Sequence, residues 1–231
     1  MPTRDRLNPR PWHADYIQLR ALRAQIAQAL AQHGRTRMRV LDVGCRDRPY
    51  EPLFAPFASE YIGVDLAEGP SVDVVADARS LPLEDGSVDC VVSTQTLQYF
   101  EQPEASVREF ARVLRRGGLL LASTHGVGFV DRSAVDRWRW THHGLRELFG
   151  DDGDWTDVAV HPAGGVLSAA AYLLGGQAEF AAHSLGVPWL AYGWCAAANA
   201  VAWNGDRVTR RMQAGAMPAA AVNYLIVGVR R

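Results

Sequence analysis

The stretch Val40-Leu41-Asp42-Val43-Gly44-Cys45-Arg46-Asp47-Arg48-Pro49-Tyr50 constrains this chain most, because aliphatic residues suited to a buried strand run straight into a glycine. About twenty residues later a second strand-like segment ends in an acid, Gly63-Val64-Asp65. A residue without Cβ lets the backbone turn sharply against a ligand, and an acid at the next strand end can accept hydrogen bonds from two adjacent ribose hydroxyls. The pairing therefore reads as a nucleotide-type cofactor site, although Arg46 stands where the usual turn has a second glycine. Gly44 alone would equally suit a strand end in any α/β protein, so the segments downstream decide.

Those segments alternate. Strands are predicted near 38–43, 60–65, 72–75, 87–93 and 117–124, with helices near 50–58 and 103–115. Such a period implies parallel strands joined by right-handed crossovers, with helices on both faces of the sheet. In a doubly wound α/β sheet, ligands sit at the carboxyl ends of the strands where the strand order switches. Gly44, Asp65, Asp77 and Gln95 all fall just after a predicted strand, so one ligand can touch all four.

Ahead of this core, Ile17, Leu19, Leu22, Ile26 and Leu30 recur at near-helical spacing and Gly34 follows as a stop, which predicts an amphipathic helix over about 13–33. Behind it, Thr141 is placed to cap a short helix ending near Gly150, 155–160 is a candidate sixth strand, and 220–229 a last one. The residues between those two strands are rich in Ala, Leu, Gly and Trp. Neither apolar run there reaches the ~20 uninterrupted residues of a membrane-crossing helix, because Gln177, Glu179, His183, Pro188 and Asn199 interrupt them. A helical hairpin is expected, with three roles open: a cap on a substrate pocket, a homodimer contact, or a membrane-surface contact.

At 231 residues and 48% apolar content the chain suits one domain with an elaboration. Its parts are expected at 1–36 (a leading helix), 37–160 (the cofactor core), 161–215 (the hairpin) and 216–231 (the terminal strand). All 24 basic residues are arginine and 25 acids balance them to a net charge of −1, which favours neither nucleic acid nor an anionic membrane as partner. Cys45, Cys90 and Cys195 form no Cys-x-x-Cys pair and lie in no zinc-type spacing with His, so reduced thiols and no metal are expected. Met1-Pro2-Thr3-Arg4-Asp5-Arg6 lacks the apolar run of a secretion signal, which points to the cytoplasm.

Three further segments complete the pattern: Ala76-Asp77-Ala78-Arg79-Ser80-Leu81-Pro82, Val88-Asp89-Cys90-Val91-Val92 through Leu97, and Arg112-Val113-Leu114-Arg115-Arg116-Gly117-Gly118. Over residues 38–124 their order resembles the small-molecule type of class I S-adenosylmethionine (SAM)-dependent methyltransferases. The resemblance implies a Rossmann-like sheet of seven strands, mostly parallel with an antiparallel last strand, a leading helix that closes over the cofactor, and a helical insertion before the last strand. It implies SAM as cofactor and S-adenosyl-L-homocysteine (SAH) as product. Carried over residue by residue, Asp65 and Leu66 would meet the ribose. Asp42, Gly44, Cys45 and Arg46 would form the turn facing the methionine part, Asp42 accepting from its ammonium directly or through water. Asp77 and Ala78 would meet the adenine edge, and Gln95 and Thr96 would pass close to the sulfonium. The alternatives are plain ones: Asp65 a solvated strand-end acid, Asp77 a cap on the loop before Leu81-Pro82. Arg46 fits the turn if its φ is negative and its side chain points away. Pointing inward, it holds the cofactor carboxylate or blocks the site.

Methyl transfer is an in-line displacement whose rate depends on holding the acceptor at attack distance, and a base is needed only when the acceptor must lose a proton. For a hydroxyl acceptor, His125 after the fifth strand is the first candidate base, with His142 and His143 next. Gln98-Tyr99-Phe100 stands where many relatives have His, so no base is carried over there. Trp138, Arg139 and Trp140, with Tyr99 and with Tyr16 on the leading helix, are candidate acceptor contacts. Indole faces stack on sugar rings or other flat groups, and Arg can pair a phosphate or carboxylate, unless the Trp pair is simply core packing. The matching stretch implies a subgroup tied to glycan or natural-product biosynthesis. The expected function is methylation of a small molecule, at a hydroxyl of a sugar-containing or secondary-metabolite acceptor. Two other readings stand beside it: another SAM-dependent reaction such as cyclisation, or a scaffold that has lost SAM binding.

Overall fold

The computed structural model describes residues 5–150, 154–212 and 220–231, so Met1 to Arg4 of the reading against a secretion signal and the expected boundary at 215–216 lie outside the described residues. The described chain divides into two compact units. One, the sheet unit, comprises residues 25–125, 131–161 and 225–231; the other, the helical unit, comprises the leading residues up to Ala24, Gly126–Val130 and Pro162–Tyr224.

In the sheet unit, aliphatic strands β1 (Met38–Val43), β2 (Ala58–Asp65), β4 (Val88–Thr94) and β5 (Leu114–His125) lie side by side, with Val40, Leu41, Val91 and Leu120 wholly buried. A short β3 (Val74–Val75), β6 (Trp155–Ala163) and β7 (Asn223–Arg230) complete seven strands in the order β3-β2-β1-β4-β5-β7-β6. The pairs β1–β2, β1–β4, β2–β3 and β4–β5 are parallel, and the sheet ends in antiparallel strands, the expected Rossmann-like arrangement. Strand order therefore reverses between β1 and β4, so the turns after Val43 and Thr94 flank the crevice where such sheets take their ligands.

The helices follow from local chemistry. Helix α3 (Pro103–Val113) starts on Pro103, whose missing N–H costs nothing in a first turn, and buries Val107, Phe110 and Ala111. It ends two residues earlier than expected because Leu114 is already extended (φ −70°, ψ 136°) as the first residue of β5. The Arg115-to-Gly118 segment then bulges out of β5, which Gly117 permits with φ +71°, and pairing with β4 resumes at Leu119. Helix α2 is only Glu51–Phe54, shorter than the expected 50–58, since Phe57 N–H closes a turn on Phe54 O (2.8 Å) and Ala58 opens β2. The strand expected over 72–75 keeps two residues, because Asp73 folds back on Gly63: its N–H donates to Gly63 O (2.9 Å) and its carboxylate accepts Gly63 N–H (2.8 Å). Helix α4 (His142–Gly150) is capped as expected, Thr141 Oγ1 accepting Gly144 N–H at 3.1 Å.

Helix α1 (Tyr16–His33) stops at Gly34, where an added Cβ would sit 2.3 Å from Leu30 O. Its first turns belong to the helical unit with α5 (Val166–Ser184) and α6 (Pro188–Met212), the expected hairpin. Ile17, Ala171 and Ala202 form a small buried cluster there, and three buried polar side chains bind backbone around it. Asp206 of α6 accepts the N–H groups of Gly165 (2.8 Å), Leu167 (3.1 Å) and Ser168 (3.0 Å), and so caps α5 from the neighbouring helix. Glu179 accepts Ala14 N–H (2.9 Å), and the Asn199 amide donates to Pro11 O and His13 O, both at 2.8 Å. The outer surface of this unit is apolar, with Leu185 77%, Val201 70%, Phe180 69% and Trp189 66% exposed. Among the described residues no helix is long and apolar enough to cross a membrane.

Candidate functional site

The turn after β1 is built around backbone geometry that few side chains tolerate. Gly44 has φ +73°, and a Cβ added to it would lie 2.2 Å from Thr96 Cγ2, so the turns after β1 and β4 touch at this point and only glycine fits. Gly44 and Cys45 both donate their N–H to Val64 O, at 2.8 and 3.1 Å, which fastens the turn to β2. Arg46 corrects an expectation: its φ is +50°, in the left-handed region, and Arg48 shares it at φ +49°. Asp65 holds Arg46 there. Its carboxylate accepts Arg46 N–H at 3.0 Å and Leu66 N–H at 2.8 Å, while the Arg46 side chain is exposed. Leu66 is 72% exposed beside it.

Asp42 lies behind this turn with 3% of its surface exposed, and burial pushes its carboxyl up to about 7. Tyr61 OH donates to Asp42 Oδ2 at 2.8 Å, and the desolvated tyrosine is itself raised. Cys45 is buried and its thiol is raised to about 11, by burial first and then by the nearby carboxylates of Asp42 and Asp65, so it is no nucleophile. Arg48, missed in the sequence, braces the same turn: it donates to Ser71 O (2.6 Å), pairs with Asp73, and sets its guanidinium 5.8 Å from the Tyr61 ring centre.

Asp77 caps its own loop, the alternative weighed for it. Its carboxylate takes Arg79 N–H (2.8 Å) and the Arg79 guanidinium (2.7 to 3.1 Å), which holds it below the usual carboxylate range, and Ala78 beside it is buried. On β4 the chain leaves the strand at Gln95, with φ +57°. Gln95 N–H and its amide both donate to Ser123 Oγ at 3.0 Å, and Thr96 Oγ1 donates to Thr94 O at 3.0 Å.

A second cluster forms from 98–100, 125 and 131–142. Gln98, wholly buried, organises it: its carbonyl accepts Arg137 N–H (2.9 Å) and Trp138 N–H (3.1 Å), its amide donates to Gln95 O (2.6 Å), and its Oε1 accepts from Thr124 Oγ1 (3.2 Å). Trp140 N–H donates to His125 O at 3.0 Å, bringing the candidate base and the tryptophan pair together. The Trp138 and Trp140 rings lie 5.4 Å apart at 32°, and Trp138 remains 38% exposed with its indole N–H anchored on Phe100 O (2.7 Å). It is thus a fixed, accessible aromatic face rather than core. Tyr99 OH donates to Asp131 at 2.9 Å. Arg139 corrects another expectation: both terminal nitrogens pair with Asp136 at 2.6 Å, so its charge is already matched and is not offered to a phosphate or carboxylate. The partner carboxylate of Asp136 is lowered by Arg139 first, with His125 contributing.

His142 opens α4, next to His143 (ring centres 5.5 Å), and burial with its cationic neighbours lowers its pKa. Tyr16 lies in the helical unit, where its hydroxyl accepts from Arg20 (2.7 Å) and its ring packs against the Ile17 cluster. Tyr61, Arg48, Gln98 and Asp136 are the contributors the sequence reading passed over. Tyr61 reaches Asp42 through the pairing of β1 with β2, which sets it opposite Val40 on the face that Asp42 shares, a register the sequence does not reveal.

Against known proteins, residues 41–122 match the family described as a methyltransferase domain. A probable S-adenosylmethionine-dependent methyltransferase of Mycobacterium tuberculosis is 40% identical over 95 residues, covering 37% of this chain and 35% of that protein. A malonyl-acyl-carrier-protein O-methyltransferase of Methylococcus capsulatus is 38% identical over 103 residues, 38% of each. The chain thus aligns with little more than a third of these curated relatives' length. Among solved structures, a phosphoethanolamine N-methyltransferase of Haemonchus contortus matches with TM-score 0.56 at 18% identity, over 89% of this chain and 52% of that one. A 4+2 cyclase matches with TM-score 0.55 at 21% identity, over 89% and 80%. At these identities the two structures share the fold.

Proposed function

We infer that this chain, whose residues 41–122 form a class I SAM-dependent methyltransferase domain, transfers a methyl group from SAM to a small-molecule acceptor, most simply a hydroxyl on a sugar-containing or secondary metabolite. One observation carries the reading: the Gly44 turn, at positive φ and packed against Thr96, stands at the strand-order switch, with Asp65 at the end of the next strand fixing its backbone. SAM supplies the methyl group as an electrophile on a positively charged sulfur.

The chain's own residues do the rest. Asp65 keeps further acceptor capacity on both oxygens for the ribose hydroxyls. Asp42 faces the amino group, and Asp77, already matched by Arg79, orders the loop at Ala78 along the adenine side. The exposed face of Trp138 stacks a flat acceptor, and with Arg139 neutralised by Asp136 the pocket suits a neutral one. His125 takes the hydroxyl proton as the oxygen attacks; His142 and Tyr99 border that acceptor in the same reading. A homodimer through the apolar helices and a cytoplasmic location belong to it too, the latter in keeping with three buried cysteines that form no disulfide.

Calorimetric titration with SAH tests the core of the proposal. Wild-type protein is expected to bind and Asp65→Ala to weaken binding at least 10-fold; no binding by the wild type overturns the reading. His125→Ala is expected to keep SAH affinity and to lower turnover on a hydroxyl acceptor by about 10²-fold, the usual scale for losing a general base. Unchanged turnover makes His125 structural. Turnover that yields a rearranged but unmethylated product favours the cyclisation reading instead.

A further inference from the structure

We propose that Tyr61 is a positioning residue for the cofactor's amino group: it holds one oxygen of Asp42 and so presents the carboxylate, ionised, to an ammonium at the Gly44 turn. The inference rests on the cofactor reading above. Asp42 on β1 and Tyr61 on β2 project from the same face of paired strands, Asp42 opposite Gly63 and Tyr61 opposite Val40. The hydroxyl donates to Oδ2 at 2.8 Å. Nothing about this tyrosine is loose. Phe54, fully buried in α2, meets its ring edge-on at 5.7 Å, and the Arg48 guanidinium lies 5.8 Å from the ring centre. Arg48 is in turn tied to Ser71 O and Asp73, so the β1 turn and the β2–β3 crossover converge on one phenol.

The physical need is clear from burial. A carboxylate with almost no contact with water is costly to ionise, and a hydrogen bond from a neutral donor favours the charged form. Tyr61 and Arg48 act in that direction on Asp42, while Asp65 at the end of β2 and Glu51 of α2 oppose it. The thiols of Cys45 in the turn and Cys90 on β4 also lie within its field, both raised and neutral. An arriving ammonium completes the set, so cofactor binding and loss of the Asp42 proton are linked.

The test is SAH titration between pH 5.5 and 8.5 for wild type, Tyr61→Phe and Asp42→Asn. Wild-type affinity is expected to climb as pH rises through about 7 and then level. Tyr61→Phe keeps the ring between Phe54 and Arg48; it should move that midpoint to higher pH and lower affinity at neutral pH by about 5-fold, the worth of one hydrogen bond, with the curves converging in base. Asp42→Asn should bind weakly at every pH. A Tyr61→Phe curve with the wild-type midpoint, lowered evenly or unchanged, makes Tyr61 structural and overturns the assignment. Absence of SAH binding by the wild type overturns the cofactor reading itself. If Tyr61→Phe does not fold, carboxyl NMR on wild-type protein decides: the Asp42 titration must move down when SAH saturates, and an unmoved titration overturns the proposal.

Discussion

The two units of this chain solve the same packing problem with opposite materials. The sheet unit is aliphatic inside and ion-paired outside, with Arg39–Glu60, Arg112–Glu109 and Arg115–Asp89 each at 2.7 Å on its surface. The helical unit has polar groups inside, Asp206, Glu179 and Asn199, and apolar side chains outside; residues 158–178 and 180–205 contain no Asp, Glu, Arg or Lys. Ala and Gly, more than a third of this helix pair, offer little side-chain area with which to specify its register. Hydrogen bonds from buried side chains to particular backbone groups supply the missing specificity, each costly to leave unmade. Exposed apolar side chains on this scale are typical of contact surfaces, which is the basis of the homodimer proposed above.

The sharpest way to break this contrast is Asp206→Ala. It strands three backbone N–H groups at the start of α5 and is expected to cost about 3 kcal/mol in denaturant unfolding, whereas Arg39→Ala on the sheet unit should cost under about 1 kcal/mol. Equal losses would mean that the polar interior is incidental. Next comes Gly44→Ala, which adds a Cβ against Thr96 at positive φ; it should cost about 2 kcal/mol and abolish SAH binding. A variant that binds SAH normally would mean that the Gly44 turn is not part of the cofactor site.

A third effect concerns pH, the proton linkage of this one buried carboxyl having a ceiling of roughly 4 kcal/mol. Because the folded carboxyl of Asp42 is raised to about 7, above its unfolded value near 3.8, the folded state holds a proton that the unfolded state has lost between those limits. Apo-protein stability therefore falls as pH climbs from about 4 to about 7, and Asp42→Asn should remove that fall from a series of melting temperatures. A series unaltered by the substitution would place the titration elsewhere. The smallest expected change is in stability on replacing Phe180 and Trp189 with Ser, within about 0.5 kcal/mol for exposed sites. Light scattering should nevertheless report loss of a dimer; a wild type that is monomeric at high concentration removes the homodimer from the proposal.

Much of the fold was legible because its signals are local. The strand-to-glycine run at Val40–Gly44, the stop at Gly34 and the cap at Thr141 depend on neighbours a few residues away. Of the candidate site, what was legible were the residues that shape the turn's backbone, Gly44 at positive φ and Asp65 holding the N–H groups beside it. What escaped were particular side-chain pairings: Asp77 with Arg79 could be guessed, but the spacing of Arg139 and Asp136, three positions apart, or of Tyr61 and Asp42, nineteen apart, does not say that these groups meet. Arg46 misled for a related reason, since a positive φ in a non-glycine residue is affordable when an acid 19 positions later grips its N–H.

The hold on the segment carrying Trp138 and Trp140 has a consequence for divergence. It is anchored through backbone N–H groups on the carbonyls of Gln98 and His125, which any residue but proline could supply, and through the Trp138 indole on Phe100 O. Position 140 can therefore drift during descent without unfastening the loop, and under the proposed function that would let acceptor preference change at little cost to the fold.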